Sequence, residues 1–91
     1  MKDIRWNPRK GEWVKVHRRV GFEDVVVKIN AGEILDIVEH HNEKRYPGQR
    51  IFILEFNDYA YLIPFVESEK EIFLKTLIPI RKATRRYLRG G

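Results

Sequence analysis

Between Phe22 and Ile29 the apolar residues fall at Phe22, Val25, Val26 and Ile29, the i, i+3, i+4, i+7 spacing of one helical face. Glu23 and Asp24 occupy the first turn, where the helix dipole favours carboxylates, and Ala31-Gly32 closes the segment. Ahead of it, Asn7-Pro8 predicts a helix start, because Asn caps well and Pro suits the first turn. That helix spans Pro8 to Arg18, with sparse apolar positions at Trp13, Val14 and Val16. Gly11 inside it costs about 1 kcal/mol relative to Ala. Ile4-Arg5-Trp6 is a short strand or an extended arm.

Downstream the rhythm shortens. Glu33 to Glu39 alternates imperfectly and predicts a strand, followed by a polar loop from His40 to Gln49 with a Pro47-Gly48 turn. Ile51 to Phe56 and Tyr59 to Val66 are strands joined at Asn57-Asp58, a tight hairpin turn. Glu67 to Lys70 is a further turn. Glu71 to Ile78 is a fourth strand, stopped by Pro79, which has no N–H for the ladder. In a last helix, Ile80 to Arg89, one face holds Ile80, Ala83, Thr84, Tyr87 and Leu88, and the other is basic. Consecutive strands with short turns pair antiparallel. The expected fold is therefore α+β: a four-stranded antiparallel meander with two N-terminal helices and one C-terminal helix. The helices cover one sheet face, and the other face stays open to a ligand or partner.

Composition narrows the function classes. At 91 residues, 43% of them hydrophobic, the chain predicts a single folded domain with a modest core. The absence of Cys removes disulfide scaffolds, thiolate metal sites and Cys nucleophiles. No apolar run approaches the roughly 18 residues of a membrane span, and no hydrophobic leader pattern opens the chain, so a cytoplasmic protein with no membrane role is expected. Charge is polarised around a net +5. Residues 1–20 carry seven Lys/Arg against two Asp/Glu, the middle of the chain is acidic, and residues 75–91 carry six basic residues and no acidic ones. If the two ends meet, they form a positive face suited to a polyanion.

Candidate chemistry is limited. Ser68 is the only serine and sits in an acidic turn, and the six glycines are too dispersed for a phosphate loop. His17, His40 and His41, with Glu39 and Glu43 nearby, lack metal-ligand spacing, so no metal or cofactor is expected. The strongest feature is Arg81-Lys82-Ala83-Thr84-Arg85-Arg86. Arg81, Arg85 and Arg89 fall four apart along one helix side, and guanidinium groups grip phosphate bidentately. RNA cleavage by the 2′-OH needs such charge plus a proton-transfer group, which Glu23, His17 or the His40-His41 loop could supply. Tyr87, Trp6 and Trp13 are candidate base-stacking rings.

Four segments stand in order along the chain: Trp6-Asn7-Pro8-x-Lys10, then Val20-x-Phe22-Glu23-Asp24, then Arg50-Ile51-Phe52 before a hairpin, and finally Ile78-Pro79-Ile80-Arg81-Lys82-Ala83-Thr84-Arg85-Arg86. Together they resemble BrnT-type toxins. The resemblance covers nearly the whole chain in order and spacing. It implies a RelE-like α+β fold and the toxin of a type II toxin–antitoxin pair, an mRNA endoribonuclease that stops translation and is held by a cognate antitoxin. Carried onto matching positions, it points to Lys10, Glu23, Arg50, Arg81 and Arg85. With the charge pattern, Lys75, Lys82 and Arg86 join Lys10 and Arg50 as expected RNA contacts, and Arg81, Arg85, Glu23 and His17 are the expected catalytic groups. The chain departs from the family pattern at Asn7 (Asp), Arg18-Arg19 (His-Gly), Pro79 (Ser) and Thr76 (Arg). The alternatives are a non-catalytic RNA- or DNA-binding module, and an interaction protein whose basic helix docks on an acidic partner.

Overall fold

The structure, a computed structural model, describes residues 2–40, 42, 44–45 and 47–90. The first strand, β1 (Asp3–Trp6), leads into α1 (Pro8–Arg18) and α2 (Phe22–Asn30). Asn7 starts α1 as its residue type predicts: its Oδ1 accepts the N–H groups of Arg9 and Lys10 at 2.9 and 3.2 Å, and Pro8 follows. Gly11 in mid-helix has a packing reason. A Cβ there would lie 2.8 Å from the Trp6 indole nitrogen, so the glycine lets Trp6 lie against α1. Gly21 opens α2 and donates its N–H to Asp24 Oδ2 at 2.9 Å.

The strand expected from Glu33 is shorter: β2 spans Asp36–Glu39. The preceding residues are taken up in closing α2. Gly32, at φ 73°, donates to the Ile29 carbonyl and Glu33 to the Lys28 carbonyl, a glycine-turned C-terminus that releases the chain only after residue 33. Next come β3 (Gln49–Phe56) and β4 (Tyr59–Glu67). Asn57 and Asp58 both have positive φ (54° and 64°), as a two-residue hairpin turn requires.

The expected fourth strand is two. β5 (Glu71–Leu74) and β6 (Ile78–Pro79) both lie along β4, but with a register break. Phe65 faces Leu74 while Leu62 faces Ile78, so the incoming strand carries one extra residue, a bulge. Pro64 sits opposite the break. Its carbonyl accepts the Lys75 N–H at 2.9 Å, so its own nitrogen, which has no hydrogen to give, also faces this side. The ladder is interrupted where β4 lacks a donor.

The sheet has six strands rather than four. Its order is β1-β5-β4-β3-β2, with β6 on β4, and all pairs are antiparallel except β1 with β5, which run parallel. The chain closes with α3 (Arg81–Leu88). Its position corrects the expectation that all helices cover one face. On one side, Phe52, Leu54, Ile63, Phe65 and Leu74 pack with Val14, Phe22 and Val25 of α1 and α2. On the other, Ile53 and Ala60 pack with Ala83, Ile80, Tyr87 and Leu88. Successive strand residues point to opposite faces, so α3 lies on the far side of the sheet from α1 and α2. The cause is that β3 and β4 are apolar on both faces, and the second face also needs a cover. Among the described residues, no helix is long and apolar enough to cross a membrane.

Candidate nucleic-acid interface

The parallel strands β1 and β5 end side by side at Trp6 and Leu74, and α1 begins immediately beyond. Around that point an open groove of about 680 Å³ is lined by Asn7, Arg9, Lys10, Trp13, Phe73 and Lys75. Cations and rings are interleaved. Lys10 Nζ stands 4.4 Å from the Trp13 ring centre, and Lys75 Nζ stands 5.7 Å from that of Phe73. Residues three and four apart on a helix share a face, so the surface continues along α1 from Lys10 and Trp13 to His17. The His17 imidazole stacks on Trp13, centroids 4.3 Å apart and planes 15° from parallel.

His17 Nδ1 lies 2.9 Å from the Trp13 carbonyl. A carbonyl only accepts, so Nδ1 carries the proton. In the neutral ring Nε2 then keeps a free lone pair, the state needed to take a proton from a substrate hydroxyl.

The other expected site residues divide among several places. Lys10 and Lys75, far apart in sequence, are brought together in this groove. Arg50 is engaged elsewhere: it is hydrogen-bonded to Glu67 Oε1, while Lys2 Nζ lies 2.6 Å from Oε2 of the same carboxylate. The Lys2 hydrogen bond above all, helped by the Arg50 hydrogen bond and by both positive charges, holds Glu67 below the usual carboxylate range against the opposing effect of burial. Glu23 pairs with Lys15 at 3.4 Å. Arg81 and Arg85 are exposed one turn apart on α3, across the sheet from α1 and α2. The four expected catalytic groups thus lie on both sides of the sheet rather than in one cluster. Arg89, the third arginine of that column, is bound to Asp58 at 3.1–3.2 Å.

Lys82 and Arg86 border a second groove on the α3 side, floored by Val38, Ile51, Leu62 and Ile80. At its end Tyr87 donates to Asp36 Oδ2 at 2.7 Å. That hydrogen bond, with the Ile37 N–H and the Arg86 charge, lowers the Asp36 pKa, and the same bond raises that of Tyr87. Among the described residues, no group of three His, Asp or Glu could hold a metal ion. His41 and Glu43 lie outside the described residues.

Arg9 and Phe73 were not expected at the site. Period-two reading carries a signal for Phe73: Ile72 and Leu74 point into the core, so Phe73 must point away from it. No comparable signal reveals that β5 lies against β1. No family model, curated protein or solved structure matches the chain.

Proposed function

We propose that the protein binds single-stranded RNA in the groove between α1 and β5, and that it acts as the toxin of a toxin–antitoxin pair by cleaving that RNA. One observation carries the RNA reading: two lysines and two aromatic rings alternate along one groove, the chemistry that holds phosphates and stacks bases together. Splayed bases suit single strands, since a duplex keeps its rings stacked inside. The toxin role, the RelE-like arrangement and the cognate antitoxin rest on the ordered resemblance to BrnT-type toxins. Three helices on a mostly antiparallel sheet support the same reading.

In cleavage, His17 Nε2 takes the 2′-hydroxyl proton. The 2′-oxygen attacks the neighbouring phosphorus, the bond from phosphorus to the 5′-oxygen breaks, and that oxygen takes a proton from water, leaving a 2′,3′-cyclic phosphate. Lys10 and Lys75 hold the charge that builds on the phosphate oxygens. The test uses purified protein and end-labelled single-stranded RNA in EDTA, with product ends mapped. Cyclic-phosphate ends that vanish in His17→Ala while binding persists are the expected result. Binding without any cutting favours the non-catalytic module, a reading supported by the separation of Arg81 and Arg85 from His17 and Glu23. Toxicity lost in Arg81→Ala/Arg85→Ala but kept in His17→Ala moves the chemistry to α3.

A further inference from the structure

The second groove has a chemistry of its own. Its floor is aliphatic, formed by Val38, Ile51 and Leu62 of the sheet and Ile80 before α3, Glu39 and Tyr87 also line it, and its volume is about 530 Å³. The Tyr87 ring is already engaged, by Arg86 over its face and by its hydroxyl on Asp36, and the aliphatic floor accepts Leu, Ile or Val side chains well. Exposed Lys82 and Arg86 stand along the α3 rim. Among the described residues neither makes an ion pair within 4 Å; Arg86 stands 5.5 Å over the ring of Tyr87, and its charge also favours the Asp36 carboxylate. Arg81 and Arg85, equally exposed, add to the positive charge of the same helix. An apolar floor beside the four exposed cations of α3, which outnumber the Asp36 and Glu39 carboxylates nearby, is complementary to an amphipathic, acidic polypeptide.

The form of that polypeptide is also constrained. Strand addition along β2 is disfavoured, because the Ile37 N–H is already held by Asp36 Oδ1 at 2.8 Å and the strand is only four residues long. We infer that this groove is a protein-docking site for an acidic amphipathic helix, which sets two or three aliphatic side chains on Val38, Ile51 and Leu62 and its carboxylates against Lys82 and Arg86. The inference rests on the toxin reading only in casting that partner as the neutralising one. The surface itself shares no lining residue with the RNA groove.

The probe is a short fluorescein-labelled helical peptide repeating Leu-Leu-Glu-Glu, alongside a control with Ser in place of each Leu. Anisotropy titration should show saturable binding of the Leu peptide only. Lys82→Gln/Arg86→Gln should weaken it about tenfold, the equivalent of about 1.4 kcal/mol. Leu62→Gln should weaken it similarly. The double variant changes exposed residues and keeps the test decisive if Leu62→Gln does not fold by circular dichroism. Equal binding of the Ser peptide, no binding of the Leu peptide, or equal affinity in wild type and double variant overturns the inference. So does a larger loss of labelled RNA than of peptide in the double variant, which assigns the face to nucleic acid. Loss of RNA binding in Lys10→Ala/Lys75→Ala with peptide binding unchanged leaves it standing.

Discussion

The two grooves carry similar cations over different floors. At the ends of β1 and β5, lysines stand over Trp13 and Phe73, and at α3 Lys82 and Arg86 border valine, isoleucine and leucine. Charge alone cannot tell these surfaces apart, since both attract anions at long range. The floor decides what stays after encounter: rings reward flat bases, and branched aliphatics reward other aliphatics. The supports differ too. The first groove rests on backbone pairing of β1 with β5 and on the Asn7 cap. The second depends on a helix tied down by a few side-chain bonds: Thr84 Oγ1 accepting the Ala60 N–H at 2.8 Å, Tyr87 on Asp36, and Arg89 on Asp58.

The largest expected effect falls on the first groove. Lys10→Ala/Lys75→Ala should lower single-stranded RNA affinity by roughly a hundredfold at low salt and flatten the log–log salt dependence by about 1.4, from about 0.7 per phosphate contact. Filter binding across a salt series measures it, and an unchanged slope would remove this groove from RNA recognition. Thr84→Val comes next. It leaves the buried Ala60 N–H without a partner, a cost of about 1–3 kcal/mol in chemical denaturation. If the grooves are independent, folded Thr84→Val protein loses peptide affinity and keeps its RNA affinity.

The smallest effect concerns pH. Asp36 is lowered in the fold, so its contribution to holding α3 is present above the unfolded carboxylate range and is lost as acid drives pH down through the lowered value. Tyr87 is raised, so its contribution is present below the unfolded phenol range and is lost as pH climbs through the raised value. Tyr87→Phe should flatten both arms of the stability–pH curve without moving RNA affinity. Unfolding midpoints of the two proteins across pH check this, and identical profiles would show that the bond does not hold α3.

Local chemistry made much of the fold legible. Asn7-Pro8 marks the start of α1, Asn57-Asp58 the hairpin, and the Phe22–Ile29 spacing the core face of α2. What escaped sequence reading is non-local. Nothing near Ile4 or Ile72 says that they pair in parallel, because that partnership forms between distant segments. The side taken by α3 was partly visible, since Leu62 as well as Tyr61 and Ile63 is apolar and marks a strand with two faces to cover. Of the site, the basic residues stood out individually. The meeting of Lys10 with Lys75 did not, since it depends on the β1–β5 pairing. Arg50 looked available because the sequence does not show that it and Lys2 converge on Glu67.

That same pairing sets an order of events at the ribosome. Asp3–Trp6 is made well before its partner Glu71–Leu74. Until then α1 carries Lys10 and Trp13 without Phe73 or Lys75 opposite, and the groove does not exist. Long-separated contacts of this kind form late and slow the final step of folding. On the proposed RNA reading, the groove that would hold the strand is complete only once synthesis has passed residue 75.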